Sequence, residues 1–197
     1  RYLPAAKLSK LKSSTASNPQ CEYARKLFLF SYYCYGISFI DMAMLTAAHI
    51  KQMEDGDYIV YKRQKIKRQK GVKPISIKIT PAIRQLIGSL QAASPTVDDF
   101  LLPIVTRSGY TGERLYMHIR TRYSKYQKYL RLLAEELGID FHLTSYVSRH
   151  TAAMTLQRNH IPREVISQML GHADLETTNI YLDSFDNRVI NEAAKVL

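Results

Sequence analysis

Apolar positions in this chain recur mostly at the three-to-four spacing of a helix, and one stretch alternates in twos. Tyr23, Lys26/Leu27, Phe30 and Cys34 predict a helix over about 22–35, interrupted by Gly36. Phe39, Met42, Ala43 and Leu45 predict a second helix with one apolar face, on which Asp41 is either exposed or paired. The preceding "LSKLKSSTASNPQ" is polar and Ser-rich and reads as an entry loop. Tyr58, Val60 and Lys62, then Ile75, Ile77 and Ile79, alternate as two hairpin strands with "KIKRQKG" as a long basic tip. Thr80 before Pro81 is a helix start, so "PAIRQLIGSLQAA" is helical. "SPTVDDFLLPIVTRSGYTGE" reads as a connection with one short buried segment. A long helix over 114–138 ends at Gly138, and Thr144 or Ser145 caps another that runs to about Arg158. Pro162 opens the next, which closes at Gly171. A short helix over 177–181 and a last helix over 187–197 complete the chain. No internal repeat is visible. The predicted fold class is mostly α with a small antiparallel β-sheet (α+β).

The 197 residues suit one domain of ordinary size, and 46% hydrophobic residues argue against disorder. Charge sharpens the picture. Lys plus Arg number 28 against 17 Asp plus Glu, a net +11, which favours a polyanionic partner, nucleic acid before an anionic membrane surface. No apolar run approaches the roughly 20 residues of a membrane span. Cys21 and Cys34 have neither disulfide-framework nor metal spacing and weakly suggest a reducing compartment. The chain begins with Arg1 and carries no signal-peptide pattern. It is expected to be a fragment lacking an N-terminal region.

Candidate chemistry is spread along the chain. Lys62, Arg63, Lys65, Lys67, Arg68, Lys70 and Lys73 crowd the hairpin. They can bind phosphate without selectivity, or one lysine can enter a groove and donate a proton. "TSYVSRHTAAMTLQRNHIPREVISQMLGH" reads as two helices joined at "RNHIP", similar to a helix-turn-helix or simply two packed helices, with Arg158 and Arg163 as DNA contacts beside the turn. Arg149 offers a planar five-donor fork to a phosphate, or a surface ion pair. His150 is more simply a packed histidine. His172 sits in the turn beyond Gly171 and can donate to a phosphate oxygen. Tyr181 is a poor nucleophile at neutral pH, since a phenol titrates near 10, unless cations favour its anion.

Taken together, "SRHTAAMTLQ" and "IPREVISQMLGHADLETTNIYL" resemble the catalytic domain of the tyrosine recombinases, the phage integrase family. Arg149-His150-Thr151, Leu170-Gly171-His172 and a tyrosine nine residues past that histidine, Tyr181, match its pattern in order and spacing. Lys65, after "RQ", matches the family's hairpin lysine, with Lys67 and Lys70 as fallbacks. "LFLFSYYCYGISFIDMAML" is similar to the helix pair that holds the family's first arginine. The flavour is that of mobile-element integrases, especially conjugative-transposon types.

The resemblance implies a catalytic domain spanning 1–197 and strand transfer on double-stranded DNA. Tyr181 attacks a scissile phosphate, leaving a 3′-phosphotyrosyl link and a free 5′-hydroxyl. Arg149 and His172 hold the non-bridging oxygens, and Lys65 protonates the leaving oxygen, with no cofactor and no metal. It also implies other protomers on DNA, reached in trans by residues 188–197, accessory DNA-bending or directionality proteins, and a cytoplasmic, nucleoid-associated bacterial setting. Two positions depart from the family. Tyr35 stands where the first arginine is expected, and Tyr146 where a histidine is common. Three explanations compete: another cation (Arg25, Lys26 or a hairpin lysine) substitutes, the enzyme is slow, or it is degenerate; an active enzyme with a substituted site is the favoured expectation. A non-catalytic DNA-binding module and a type IB topoisomerase-like nicking-closing enzyme are the competing functions.

Overall fold

The computed structural model describes residues 1–66 and 73–172. Seven helices and a three-stranded sheet are seen among them, in the order α1 (Ala5–Ser13), α2 (Pro19–Tyr33), α3 (Phe39–Ala43), β1 (Ile50–Met53), β2 (Gly56–Tyr61), β3 (Ile75–Lys78), α4 (Pro81–Ala93), α5 (Gly112–Glu136), α6 (Ser145–Arg158) and α7 (Arg163–Leu170). The sheet is antiparallel in the order β1-β2-β3. The α+β expectation therefore holds.

α2 is the central helix. Leu27, Phe28 and Phe30 are all 0% exposed, and the helix packs against α4, α5 and α6. Its start is fixed by the Asn18 side chain, which accepts from the Gln20 N–H, with Pro19 at the first helical position. The same chemistry begins α4, where Thr80 accepts from the Ile83 N–H. The stretch 101–105 supplies Leu101, Leu102, Ile104 and Val105 to the core. It is clipped to the α3 exit by the Leu101 N–H donating to the Leu45 carbonyl at 2.8 Å.

Three expectations are corrected. The proposed entry loop is in its first half the helix α1, whose Leu8 and Leu11 are buried. Arg25 ties α1 to α2 by donating to the Leu11 carbonyl at 2.9 Å while bridging Glu22 at 2.7 Å. In β2 the inward face is Ile59 and Tyr61, not the Tyr58, Val60, Lys62 set. β1, which adds a third strand, has no apolar alternation to announce it and is mostly exposed. The helix ending near 35 stops at Tyr33, because Tyr35 and Gly36 both take left-handed backbone, with φ of 57° and 72°.

Candidate active site

Arg149 is the centre of the site, and it is buried, 5% exposed, not on a polar surface. Its position comes from α6. The first turn of that helix is held to α5 by the Ser145 N–H donating to Gln127 Oε1 at 3.1 Å. The hydroxyls of Ser31 and Ser148 lie 2.7 Å apart and join α6 to α2. Arg149 then donates from Nη1 to the Gly36 carbonyl at 3.1 Å and from Nη2 to the Leu170 carbonyl. The second bond caps the C-terminal end of α7, where an unpaired carbonyl and the helix dipole both favour a cation.

Two glycines make this convergence possible. A Cβ at Gly36 would fall 2.6 Å from both Cβ and Cγ of Arg149, so the turn after α2 presses directly on α6. Gly171, with φ of 64°, ends α7 with the paired bonds of a Schellman turn, Gly171 N–H to Gln168 and His172 N–H to Ser167, both 3.0 Å. A Cβ there would strike Ile75 of β3 and come within 3.2 Å of Arg63 Cδ. The turn delivers His172, whose Nε2 lies 2.8 Å from Arg149 Nη2.

The hairpin approaches from the other side. Asp41 is 3% exposed and paired: Oδ2 accepts from the Ser38 hydroxyl at 2.6 Å, and Oδ1 from the Gln64 N–H at 2.7 Å. This pins the chain one residue before Lys65, which is exposed. Arg63 is half-buried and donates from Nη1 to the Gly171 carbonyl at 3.1 Å. Arg63, Tyr146 and Arg149 share a cavity of about 430 Å³ between α3, α5 and the start of α6. Its charged lining is Arg63, Arg120 and Arg149, with no carboxylate among the lining residues, and Tyr116 and Tyr123 form its α5 wall.

The electrostatics suit an anion. Burial, then the charge of Arg63, pushes the Arg149 guanidinium down to about 10, while Tyr61, Tyr146 and Asp41 oppose the shift. An anion in the cavity would offset both by favouring the charged form. Burial, then Cys34 and Tyr58, raises the Tyr35 phenol, so this half-buried residue offers no charge. Tyr146 is 53% exposed, with its ring 5.1 Å from His150 in an edge-on contact.

The sequence-predicted residues thus divide. Arg149, His172, Arg63 and Tyr146 come together, and Tyr35 stands beside the Gly36 that holds Arg149. Arg25 and Lys26, the candidates for the missing cation on α2, both pair with Glu22 there, Arg25 at 2.7 Å and Lys26 at 4.0 Å. Arg158 lies apart, donating to the Tyr2 hydroxyl at 2.7 Å, and Arg163 is half-buried at the start of α7. Lys62 is exposed just beyond β2. Tyr181, Lys67, Arg68, Lys70 and the terminal stretch 188–197 lie outside the described residues. The contacts that Gly36, Asp41 and Arg63 make here were not predicted. Among the described residues no cluster of three His, Cys, Asp or Glu side chains could hold a metal, and no helix is long and apolar enough to cross a membrane.

The chain is similar in sequence and in fold to known proteins. Tyrosine recombinase XerD of Halalkalibacterium halodurans is 43% identical over 54 residues, 27% of this chain and 18% of its own length. XerD of Brucella abortus is 30% identical over 119 residues, 59% of this chain and 35% of its own. The chain therefore spans about a third or less of these curated relatives. Among solved structures, XerA recombinase superposes with a TM-score of 0.66 at 22% identity, covering 99% of this chain and 64% of that one. The Tn1549 transposon integrase in complex with a circular intermediate DNA gives 0.67 at 11% identity, covering 100% and 66%. The phage integrase family model matches residues 1–188, and the chain belongs to that family.

Proposed function

We propose that the chain is the catalytic domain of a DNA strand transferase, a site-specific recombinase or integrase. The observation that carries this is the contact between a buried guanidinium and an imidazole, Arg149 Nη2 to His172 Nε2 at 2.8 Å, at a cavity lined by two further arginines. Preorganised donors of this kind stabilise a phosphorus centre as it gains negative charge.

In the proposed reaction the Tyr181 oxygen attacks the scissile phosphorus and its proton passes to solvent water. The bond from phosphorus to the 5′-oxygen breaks, and that oxygen takes a proton from Lys65. The products are a 3′-phosphotyrosyl link and a 5′-hydroxyl. Attack by another strand's hydroxyl reverses the step, so the phosphodiester bond is conserved without ATP. Arg149 and His172 hold the non-bridging oxygens. Hairpin residues Lys62, Arg63, Lys67, Arg68 and Lys70, with Arg158 and Arg163, contribute to the grip on double-stranded DNA. Other protomers would be engaged through 188–197, alongside accessory bending or directionality proteins. An N-terminal region would clamp the other face of the duplex, in a cytoplasmic, nucleoid-associated setting. Tyr35, an uncharged phenol at the expected arginine position, favours a second reading in which the fold binds DNA without cutting it.

Trapping on nicked duplexes separates the two. A pool with a randomised central segment is incubated with the chain and denatured in detergent. A covalent adduct formed by wild type and absent in Tyr181→Phe supports strand transfer. Salt-dependent binding with no adduct in either supports the second reading.

A further inference from the structure

Resting on the strand-transferase reading, we propose that Arg63 is a further catalytic residue: it supplies a second guanidinium at the scissile phosphate, from the cavity it shares with Arg149. Phosphoryl transfer adds negative charge to the phosphorus oxygens in the transition state, and cations fixed in advance lower its energy. Arg149 is partly committed to the protein, bonding Gly36, Leu170 and His172. Arg63 uses Nη1 on the Gly171 carbonyl and makes no ion pair among the described residues. A guanidinium carries five N–H donors, so most of this fork remains for a ligand.

Its placement is fixed on both sides. Before it, Tyr61 is 5% exposed in β2. After it, the Gln64 N–H is held by Asp41, which Ser38 holds in turn. The side chain passes Gly171, where any Cβ would crowd Arg63 Cδ at 3.2 Å, and reaches the cavity that Arg149 also lines. Two like charges facing one pocket repel until an anion lies between them, and the Arg63 charge, after burial, depresses the Arg149 titration. The Asp41 carboxylate, engaged by Ser38 and Gln64, does not neutralise the pair by direct contact.

The test uses the duplex that wild type selects from the randomised pool, remade with a methylphosphonate at the cleaved position, each diastereomer separately. That substitution removes the phosphate's negative charge. On the ordinary phosphodiester, Arg63→Ala is expected to slow adduct formation by about 10²–10³-fold, with Arg63→Lys falling between it and wild type. On the methylphosphonate, the gap between Arg63→Ala and wild type is expected to shrink to about tenfold or less, because there is less charge to neutralise. Thermal melting of both variants reports on folding. Wild-type rates for Arg63→Ala overturn the proposal. So does an equal loss on both substrates with a lowered melting point, which would make Arg63 a strut for Gly171. If wild type forms no adduct on any duplex, the strand-transferase reading itself fails, an outcome distinct from either of these.

Discussion

Gly36→Ala tests whether the site is built by backbone contact. The glycine has φ of 72°, and an added Cβ would sit 2.6 Å from Arg149 Cβ and Cγ, closer still to its Cα. Left-handed backbone costs a residue with a Cβ about 1–2 kcal/mol. Overpacking against a main-chain atom, which cannot rotate away, adds about 1–3 kcal/mol. The sum is a loss of about 2–5 kcal/mol. For a chain of 197 residues, each kcal/mol moves the melting point by about 2–4 °C, so the expected drop is roughly 4–20 °C. Gly88→Ala is the internal control. Gly88 lies within α4 with nothing inside 4 Å of an added Cβ, so alanine should stabilise by about 1 kcal/mol through helix propensity. Urea denaturation of the two variants beside wild type reads both signs. A Gly36→Ala variant within about 1 kcal/mol of wild type would refute the close approach on which the placement of Arg149 depends.

Other consequences concern titration and reactivity. Burial lowers the folded-state pKa of Arg149 to about 10, so above that pH the unfolded chain holds the extra proton and stability rises with pH. The stability difference between wild type and Arg149→Met should therefore shift in favour of wild type as pH is raised past 10; a flat difference would contradict the assignment. His118 accepts from the Thr106 N–H at 3.1 Å. Burial first, then the charges of Arg122, Arg107 and Lys125, lowers its pKa. Its contribution is fully present above the ordinary histidine pKa of about 6.5 and falls as pH drops toward the lowered value. His118→Gln should flatten the acid limb of a stability–pH profile below that point, and an unchanged limb would count against the contact. Cys21 and Cys34 are buried, and burial raises both thiols, with Glu136 adding to the shift at Cys21. Neither should react with a thiol reagent in the native state and both should on unfolding; rapid native labelling would contradict their placement.

The elements whose ends carry their own chemistry were legible from the residues. Thr80 and Pro81 open α4, while Gly138 and Gly171 mark helix ends with left-handed backbone. The Leu170-Gly171-His172 motif has a physical reading in the structure: a buried leucine, a glycine pressed against the sheet, and a histidine set on Arg149. What was illegible depends on partners distant in sequence. α1 shows only Leu8 and Leu11 among lysines and serines, and its attachment comes through Arg25. In "YIVY" every position is apolar or aromatic, so alternation alone could not choose the inward face. Asp41 was left open between exposed and paired, and only the fold brings the Gln64 N–H to it. Arg63 read as one more hairpin cation until Gly171 was brought beside it.

The most direct test of the central claim is peptide mapping by mass spectrometry of the adduct trapped on the selected nicked duplex. The account predicts a 3′-phosphoryl nucleotide on Tyr181, formed at a rate that collapses in Arg149→Ala. A nucleotide on any other side chain, or on none, would contradict it.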